Sequence, residues 1–348
     1  MMRFSPALIS ALMLVWAYTA QAQDSNAKVI RAGMIGLDTS HVPAFARLLN
    51  KPNANSKPNA NSDLAGIRVV AGYPGGTDIP ASRDRVGKFT DQLREMDIEI
   101  IDSITRLLEK VDVVMLESVD GRIHLQEAIP VIKAGKPLWI DKPVAGSLAD
   151  AIVIFELAKK HKVPCFSSSS ARFSSTLQEL LKDEKVGDVA GAATWGPCSY
   201  STGTPDMFFY GIHGIEPLFV LMGRGCESVS RVQAKNADFV TGVWKDGRVG
   251  TYRGIRSGAS SSGAIAYGSK AIVEQPKGSG GGYEPLCQEI ARFFKTGQVP
   301  VSADETIEIF TFMEAADESK RQGGVPVMMS AVLEKAKAEA TAKLSQIQ

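Results

Sequence analysis

The fold is decided by the stretch Gly135-Lys136-Pro137-Leu138-Trp139-Ile140-Asp141-Lys142-Pro143. Gly135 is typical of the residue that follows a helix, residues 138–140 form a short apolar strand, and Lys142 and Pro143 follow at its carboxyl end. In open α/β sheets, ligands bind at the carboxyl ends of the strands. The stretch therefore predicts Lys142 beside a cleft, and the alternative is a solvated loop lysine, which is the usual state of this residue type.

Strands alternate with helices on both sides of this stretch, which favours a parallel, doubly wound sheet of the Rossmann type over residues 28–170. The sequence pattern changes after about residue 186. Longer predicted strands, with hairpin breaks such as Lys245-Asp246-Gly247, indicate a mainly antiparallel sheet packed with helices. We expect this second, α+β domain at residues 171–327 and a charged, partly exposed and frayed helical tail at 328–348. The predicted strands of the first domain are 28–36, 67–73, 111–116, 138–140 and 163–167.

The first 22 residues resemble a secretory signal peptide, with Arg3, an apolar stretch and the A-x-A site Ala20-Gln21-Ala22. They predict Sec-type export to a periplasm or beyond as a free protein with no membrane span. The net charge of +1 offers no basic face for nucleic acid. A tandem hexapeptide at 51–62 is too polar to pack and predicts a surface insertion.

The cysteines and histidines give no ligand spacing for zinc, so the sequence predicts no metal site. The four cysteines allow three disulfide pairings, among which the sequence does not choose. Cys165, within a predicted strand, favours a buried small side chain.

Several segments, taken in order, resemble the Gfo/Idh/MocA oxidoreductases, the family of glucose–fructose oxidoreductase and inositol dehydrogenase. The resemblance covers about residues 28–327. It implies a nicotinamide cofactor (NAD or NADP), a small carbohydrate substrate and a homo-oligomer, with the open second sheet as the pairing face. The segments that carry it are Val111–Val114 with His124, Gly135–Pro143, Ser170-Ala171-Arg172-Phe173, Gly211-Ile212-His213-Gly214-Ile215-Glu216 and Ala315–Ser319.

In this family the lysine of the Lys-Pro step lies between nicotinamide and substrate, which implies that Lys142 and His213 are the catalytic pair. A lysine removed from water loses pKa and becomes useful as an acid or base. His213 would take up the proton released when a hydroxyl becomes a ketone, and its alternative is a core histidine. The family's Asp four residues before this histidine is replaced by Phe209, for which Asp206 or Tyr210 could substitute.

The cofactor would contact Gly36, Thr39, Ser40, Tyr73 and Pro143. The turn 36–41 keeps only the first glycine of G-x-G-x-x-G. Asp38 replaces the second glycine, where its charge would repel a pyrophosphate, although it could instead cap the next helix. Residues 72–74 also lack the usual ribose-binding acid, and Tyr73 could stack on adenine.

Glu117, His124 and Arg172 are the candidate substrate-binding residues. Glu117 could orient a sugar hydroxyl or Lys142, and the other two could line the mouth of the cleft, while each could equally be a salt-bridged or solvated residue. We expect an exported NAD(P)-dependent oxidoreductase acting on a sugar or polyol. The altered turn leaves open a non-redox lyase, isomerase or hydrolase on the same fold, in which Asp38 and His41 could join a polar cleft, and a carbohydrate-binding protein without catalysis.

Overall fold

The computed structural model describes residues 29–50, 64–278 and 280–347. The predicted leader and the tandem hexapeptide lie outside these residues. Within them, the chain forms two sheets, one of six strands and one of seven.

The first sheet has the strand order β3-β2-β1-β4-β5-β6, and all its neighbouring strands are parallel. This is the order typical of dinucleotide-binding folds, so the predicted Rossmann-type sheet is confirmed. Every residue of β4, β5 and β6 is buried, because helices cover both faces of the sheet. The strands are β1 Ile30–Ile35, β2 Ile67–Tyr73, β3 Glu99–Ile100, β4 Val113–Leu116, β5 Leu138–Asp141 and β6 Cys165–Ser168.

Local signals place the helix ends around β5. Gly135 follows the preceding helix with φ +69°, and the Ser147 hydroxyl accepts a hydrogen bond from the Asp150 amide at 3.1 Å, as its sequence context predicts. The helices are α1 His41–Asn50, α2 Pro80–Arg83, α3 Val86–Arg94, α4 Ile104–Lys110, α5 His124–Lys133, α6 Leu148–Lys160, α7 Ser175–Lys182, α8 Ile212–Met222, α9 Glu284–Thr296, α10 Ala303–Arg321 and α11 Met329–Leu344.

The second sheet has the order β12-β11-β7-β10-β9-β8-β13 and is antiparallel except where β7 pairs with β10. The predicted mainly antiparallel second sheet is therefore confirmed. Helices α8 and α10 cover one of its faces. Its strands are β7 Val189–Pro197, β8 Cys226–Gln233, β9 Ala237–Trp244, β10 Val249–Ile255, β11 Gly263–Gly268, β12 Ile272–Glu274 and β13 Val327–Met328.

The C-terminal helix α11 returns to the first domain and packs against α6. Ala336 and Ala340 are buried in this contact, and Lys343 forms an ion pair with Asp150. The expectation of a frayed tail was wrong, because the small alanine side chains let α11 lie close to a neighbouring helix.

Candidate active site

Lys142 follows directly after β5, at the carboxyl edge of the first sheet. Its backbone amide donates to Asp141 Oδ1 at 2.8 Å. Its Nζ lies 6.0 Å from the centre of the Phe209 ring and 5.7 Å from that of Tyr210. Burial lowers the pKa of the Lys142 amine, partly offset by Asp141, so the side chain exchanges protons closer to neutral pH than a surface lysine does.

His213 lies in the first turn of α8, after a π-helical turn that carries Phe209 and Tyr210. Its ring centre is 5.5 Å from that of Tyr210, so one tyrosine contacts both His213 and Lys142. Burial, followed by the charges of Lys142 and His41, holds the pKa of His213 well below its usual value. The imidazole is therefore neutral at physiological pH, and it shares the Tyr210 ring with the amine of Lys142.

Asp141, the last residue of β5, connects Lys142 to a second histidine. Its Oδ2 atom lies 2.5 Å from Nδ1 of His41, the first residue of α1. Burial acts to raise the pKa of Asp141, but His41 and Lys142 outweigh it, so the pKa is below its usual value and the carboxylate is ionised. The sequence predicted His41 only in the polar cleft of the non-redox alternative, although the G-x-G-x-x-G spacing puts it at the third glycine.

Asp38 lies between three loops rather than capping α1. It is fully buried and accepts hydrogen bonds from Ser82 Oγ at 2.6 Å and from the Val119 amide at 2.8 Å. The idea that it caps the next helix was therefore wrong, because its carboxylate is used to join the segments after β2 and β4. Burial raises its pKa against the effect of these two donors.

Glu117 follows β4 and is completely buried, and neither of its carboxylate oxygens has a hydrogen-bond partner. Burial, then the charges of Asp141 and Asp38, raise its pKa well above the usual value. Glu117 therefore holds its proton to a higher pH than an ordinary glutamate does. It makes no hydrogen bond to Lys142, so the structure does not give it the orienting role toward that amine.

Two predicted substrate ligands hold neighbouring segments of the chain together. His124 is fully buried, and its Nε2 lies 2.6 Å from the Ser118 carbonyl oxygen, which holds the loop after β4. The expectation of a cleft-lining position was therefore wrong for His124. Arg172 bonds to Glu305 and lies 3.8 Å from Glu216, and it lines a surface cavity beside Glu305, so its role as a substrate ligand stays a prediction.

The predicted cofactor residues surround the turn after β1. Gly36 has φ +82°, and a Cβ atom there would lie 2.4 Å from the Ser118 amide nitrogen, so the turn requires glycine. Thr39 is buried and accepts a weak 3.4 Å hydrogen bond from the His41 amide, while Ser40 is exposed. Tyr73 is half-buried at the end of β2, and Pro143 is buried.

The proposed replacements for the family's missing aspartate differ in position. Asp206 pairs with Arg231 and Lys320, away from the His213 ring, so it anchors the segment before α8 instead of serving His213. Tyr210 does contact the His213 ring, and 38% of it is exposed.

All four cysteines are free and buried. In the described part of the chain, no group of three or more histidine, cysteine or acidic side chains is arranged to hold a metal ion. None of the described helices is long and apolar enough to cross a membrane.

A parallel sheet with an acid–base cluster at its carboxyl edge, beside a second domain with an open sheet, defines a two-domain dehydrogenase-type protein. Residues 81–169 match the GFO_IDH_MocA family, an oxidoreductase family with an NAD-binding Rossmann fold. The predicted resemblance to this family of nicotinamide-dependent oxidoreductases is confirmed over this segment. The matched segment begins after the turn at 36–41, so it contains Lys142 but not Asp38 or His41.

Solved structures share the fold over most of the chain. Scyllo-inositol dehydrogenase from Lactobacillus casei, with bound NAD(H) and scyllo-inositol, has a TM-score of 0.70 at 14% identity and covers 87% of this chain and 100% of its own. GenD2 from gentamicin A biosynthesis, in complex with NAD, has a TM-score of 0.69 at 14% identity. The match covers 86% of this chain and 96% of GenD2. An oxidoreductase from Agrobacterium radiobacter, in complex with NAD⁺, L-tartaric acid and magnesium, has a TM-score of 0.66 at 14% identity. The match covers 88% of this chain and 100% of that oxidoreductase. No curated protein matches the sequence.

Proposed function

We propose that this chain oxidises a secondary hydroxyl of a sugar or cyclic polyol, or reduces the corresponding ketone, with NAD or NADP. The observation that carries the proposal is the meeting of Lys142 and His213 around Tyr210, one from each domain. The family description and the scyllo-inositol bound to the Lactobacillus casei relative support the reaction class and the substrate class.

The chain's own residues hold the substrate oxygen and move its proton. Lys142 donates a hydrogen bond to that oxygen and stabilises the negative charge that develops as the proton leaves. His213 faces it from α8 as a neutral imidazole. When bound, the nicotinamide accepts the hydride that leaves the carbon.

The residues at the strand ends fit a nicotinamide nucleotide in two respects. Gly36 keeps the tight turn that such cofactors need, and the exposed Ser40 offers a hydroxyl beside the start of α1. Asp38 limits the fit, because its carboxylate already accepts the Val119 amide hydrogen. Dinucleotide binding at this turn therefore requires a negative group to be accommodated beside the pyrophosphate.

That position of Asp38 favours one second candidate, a non-redox lyase, isomerase or hydrolase acting on a carbohydrate. Such an enzyme needs acids and bases but no pyrophosphate site. Four groups with displaced pKa values lie at or beside one sheet edge, namely Lys142, His213, Asp141 and Glu117.

Binding and turnover with the purified mature chain separate the two candidates. For the redox enzyme we expect a rise in melting temperature with NAD⁺ or NADP⁺, and formation of reduced nicotinamide with scyllo-inositol, myo-inositol or an aldose. Lys142→Ala should lower kcat by about 10²–10⁴-fold without changing the melting temperature. The exposed-lysine variant Lys160→Ala is the matched control. Failure of both nucleotides to bind would exclude the redox reaction.

We also propose that the protein is exported and that it pairs through the open face of its second sheet. The support for export is the leader sequence at residues 1–22. A mature N-terminus at Gln23, read from protein recovered outside the cytoplasm, tests it, and retention of Met1 there would contradict it.

A further inference from the structure

His41, at the start of α1, is held in place by contacts with three neighbouring side chains. The ring of His41 stacks on Phe45 with centres 5.1 Å apart and meets Tyr283 edge-on at 4.7 Å. Its Nδ1 atom lies 2.5 Å from Asp141 Oδ2. Two aromatic contacts and one carboxylate thus fix the plane and direction of the imidazole.

The hydrogen bonds assign the two nitrogens of His41. Asp141 is ionised and can only accept, so Nδ1 of His41 carries the hydrogen of this bond. In the neutral form of the ring Nε2 carries the lone pair, and it makes no hydrogen bond to any residue that the structure describes. A carboxylate that orients an imidazole and leaves its second nitrogen free is the arrangement of a general base.

His213 has the opposite arrangement. Its Nδ1 lies 2.6 Å from Ser169 Oγ, and that oxygen already accepts the Ala171 amide hydrogen at 3.1 Å. The Ser169 hydroxyl proton has no other acceptor in the described chain, so it points to Nδ1 of His213. In this tautomer the remaining nitrogen of His213 carries a hydrogen and donates it.

Both histidines lie close to Asp141 and Lys142. The charge of His41 contributes to the lowered pKa of His213, as does that of Lys142. Asp141 contacts His41 through one oxygen and the Lys142 amide through the other. The charged and titratable groups around His41 are thus Asp141 and Lys142 from the end of β5, His213 from α8 and Tyr283 before α9.

We propose that His41, oriented by Asp141, is the general base that removes the hydroxyl proton, while His213 only donates a hydrogen bond. This rests on the proposed oxidoreductase function. In that reaction the hydroxyl proton would go to His41 Nε2, and an oxidised nicotinamide held at this edge would supply the acceptor for the hydride that leaves the carbon as the ketone forms. The imidazolium is stabilised by the ionised carboxylate of Asp141.

The nitrogen assignment can be tested without any substrate. The chain has four histidines, so ¹⁵N-histidine spectra can be assigned with one substitution at a time. At mildly alkaline pH we expect a protonated Nδ1 with a bare Nε2 for His41, and the reverse for His213. Asp141→Asn should shift His41 toward the other tautomer and leave His213 unchanged. A proton on Nε2 of His41 in the wild type would overturn the proposal.

Kinetics with NAD⁺ and scyllo-inositol test the catalytic role. His41→Gln should lower kcat by about 10²-fold or more with little change in KM. The exposed-histidine variant His161→Gln should keep the wild-type rate. Wild-type kcat in His41→Gln would exclude His41 as the base. If the wild type turns over none of the polyols tested, the oxidoreductase function fails, and the spectra alone decide whether His41 Nε2 can accept a proton.

Discussion

At the scale of single residues, the turn after β1 concentrates the departures from a dinucleotide site. Asp38 and His41 stand where two glycines are usual, and each side chain bonds to a distant segment of the chain. Asp38 joins Ser82 and the Val119 amide, while His41 joins Asp141. A missing glycine is thus replaced by a specific contact in both cases, and the two contacts bring acid–base groups to the sheet edge.

Neutralising Asp38 should therefore improve binding of a nicotinamide dinucleotide. Asp38→Asn keeps the size of the side chain and an acceptor for the Val119 amide but removes the charge that opposes a pyrophosphate. We expect NAD⁺ to bind roughly tenfold more tightly, as about 1.4 kcal/mol of relieved repulsion gives. Calorimetric titration measures this, with the exposed Asp91→Asn as control. Weaker binding would mean that the charge of Asp38 supports the cofactor loop.

The sequence could predict Lys142 and His213 because each lies in a local motif at a recognisable place. It could not predict the pair formed by His41 and Asp141, whose positions are 100 residues apart. That contact exists only because α1 begins beside the end of β5 in the folded protein. Likewise, nothing local distinguishes a buried Arg172 that binds Glu305 from one that faces a ligand.

At the scale of elements, the loop between β4 and α5 is held by a buried acid. Glu127 of α5 accepts a hydrogen bond from Ser118 Oγ at 2.6 Å. Burial is the main cause that raises its pKa from 4.5 to about 7. Because the folded protein holds this proton more tightly than the unfolded chain, the contribution of Glu127 to stability is fully present below about pH 4.5. It is lost as the pH rises through about 7.

Glu127→Gln should therefore make stability less dependent on pH. Glutamine can still accept from Ser118 but never ionises, so it avoids a loss of roughly 3 kcal/mol between acidic and mildly alkaline pH. Denaturant unfolding at pH 5 and pH 8 should show a smaller fall in the free energy of unfolding for this variant. The exposed Glu179→Gln is the control and should follow the wild type. If the free energy of unfolding falls equally between pH 5 and pH 8 in all three proteins, Glu127 is ionised in the folded protein.

At the scale of the whole molecule, the two sheets differ in how far the sequence determines them. Right-handed crossovers leave few orders for alternating strands and helices, so the first sheet follows from the pattern. The second sheet contains a parallel pair, β7 with β10, whose strands are separated by α8, β8 and β9. Hairpin signals predict antiparallel neighbours only, and this long-range pairing is set by how α8 packs on the sheet.

The uncovered face of the second sheet should form the contact between two copies of the chain. Val243 pairs with Val249 across β9 and β10, and Tyr267 pairs with Ile272 across β11 and β12, so their side chains share one face. The exposed fraction is 39% for Val243, 44% for Val249, 39% for Tyr267 and 70% for Ile272. Such an apolar row favours burial against a second copy over exposure to water.

Val243→Glu tests this contact, because it places one charge per copy within this apolar row. We expect light scattering to give a dimer or larger assembly for the wild type and a monomer for the variant, with an unchanged melting transition of each subunit's first domain. Leu181→Glu introduces the same charge at an exposed apolar residue of α7 and should leave the assembly intact. A monomeric wild type at micromolar concentration, or a Val243→Glu variant that still assembles, would rule out this face as the subunit interface, since a buried carboxylate pair is strongly unfavourable.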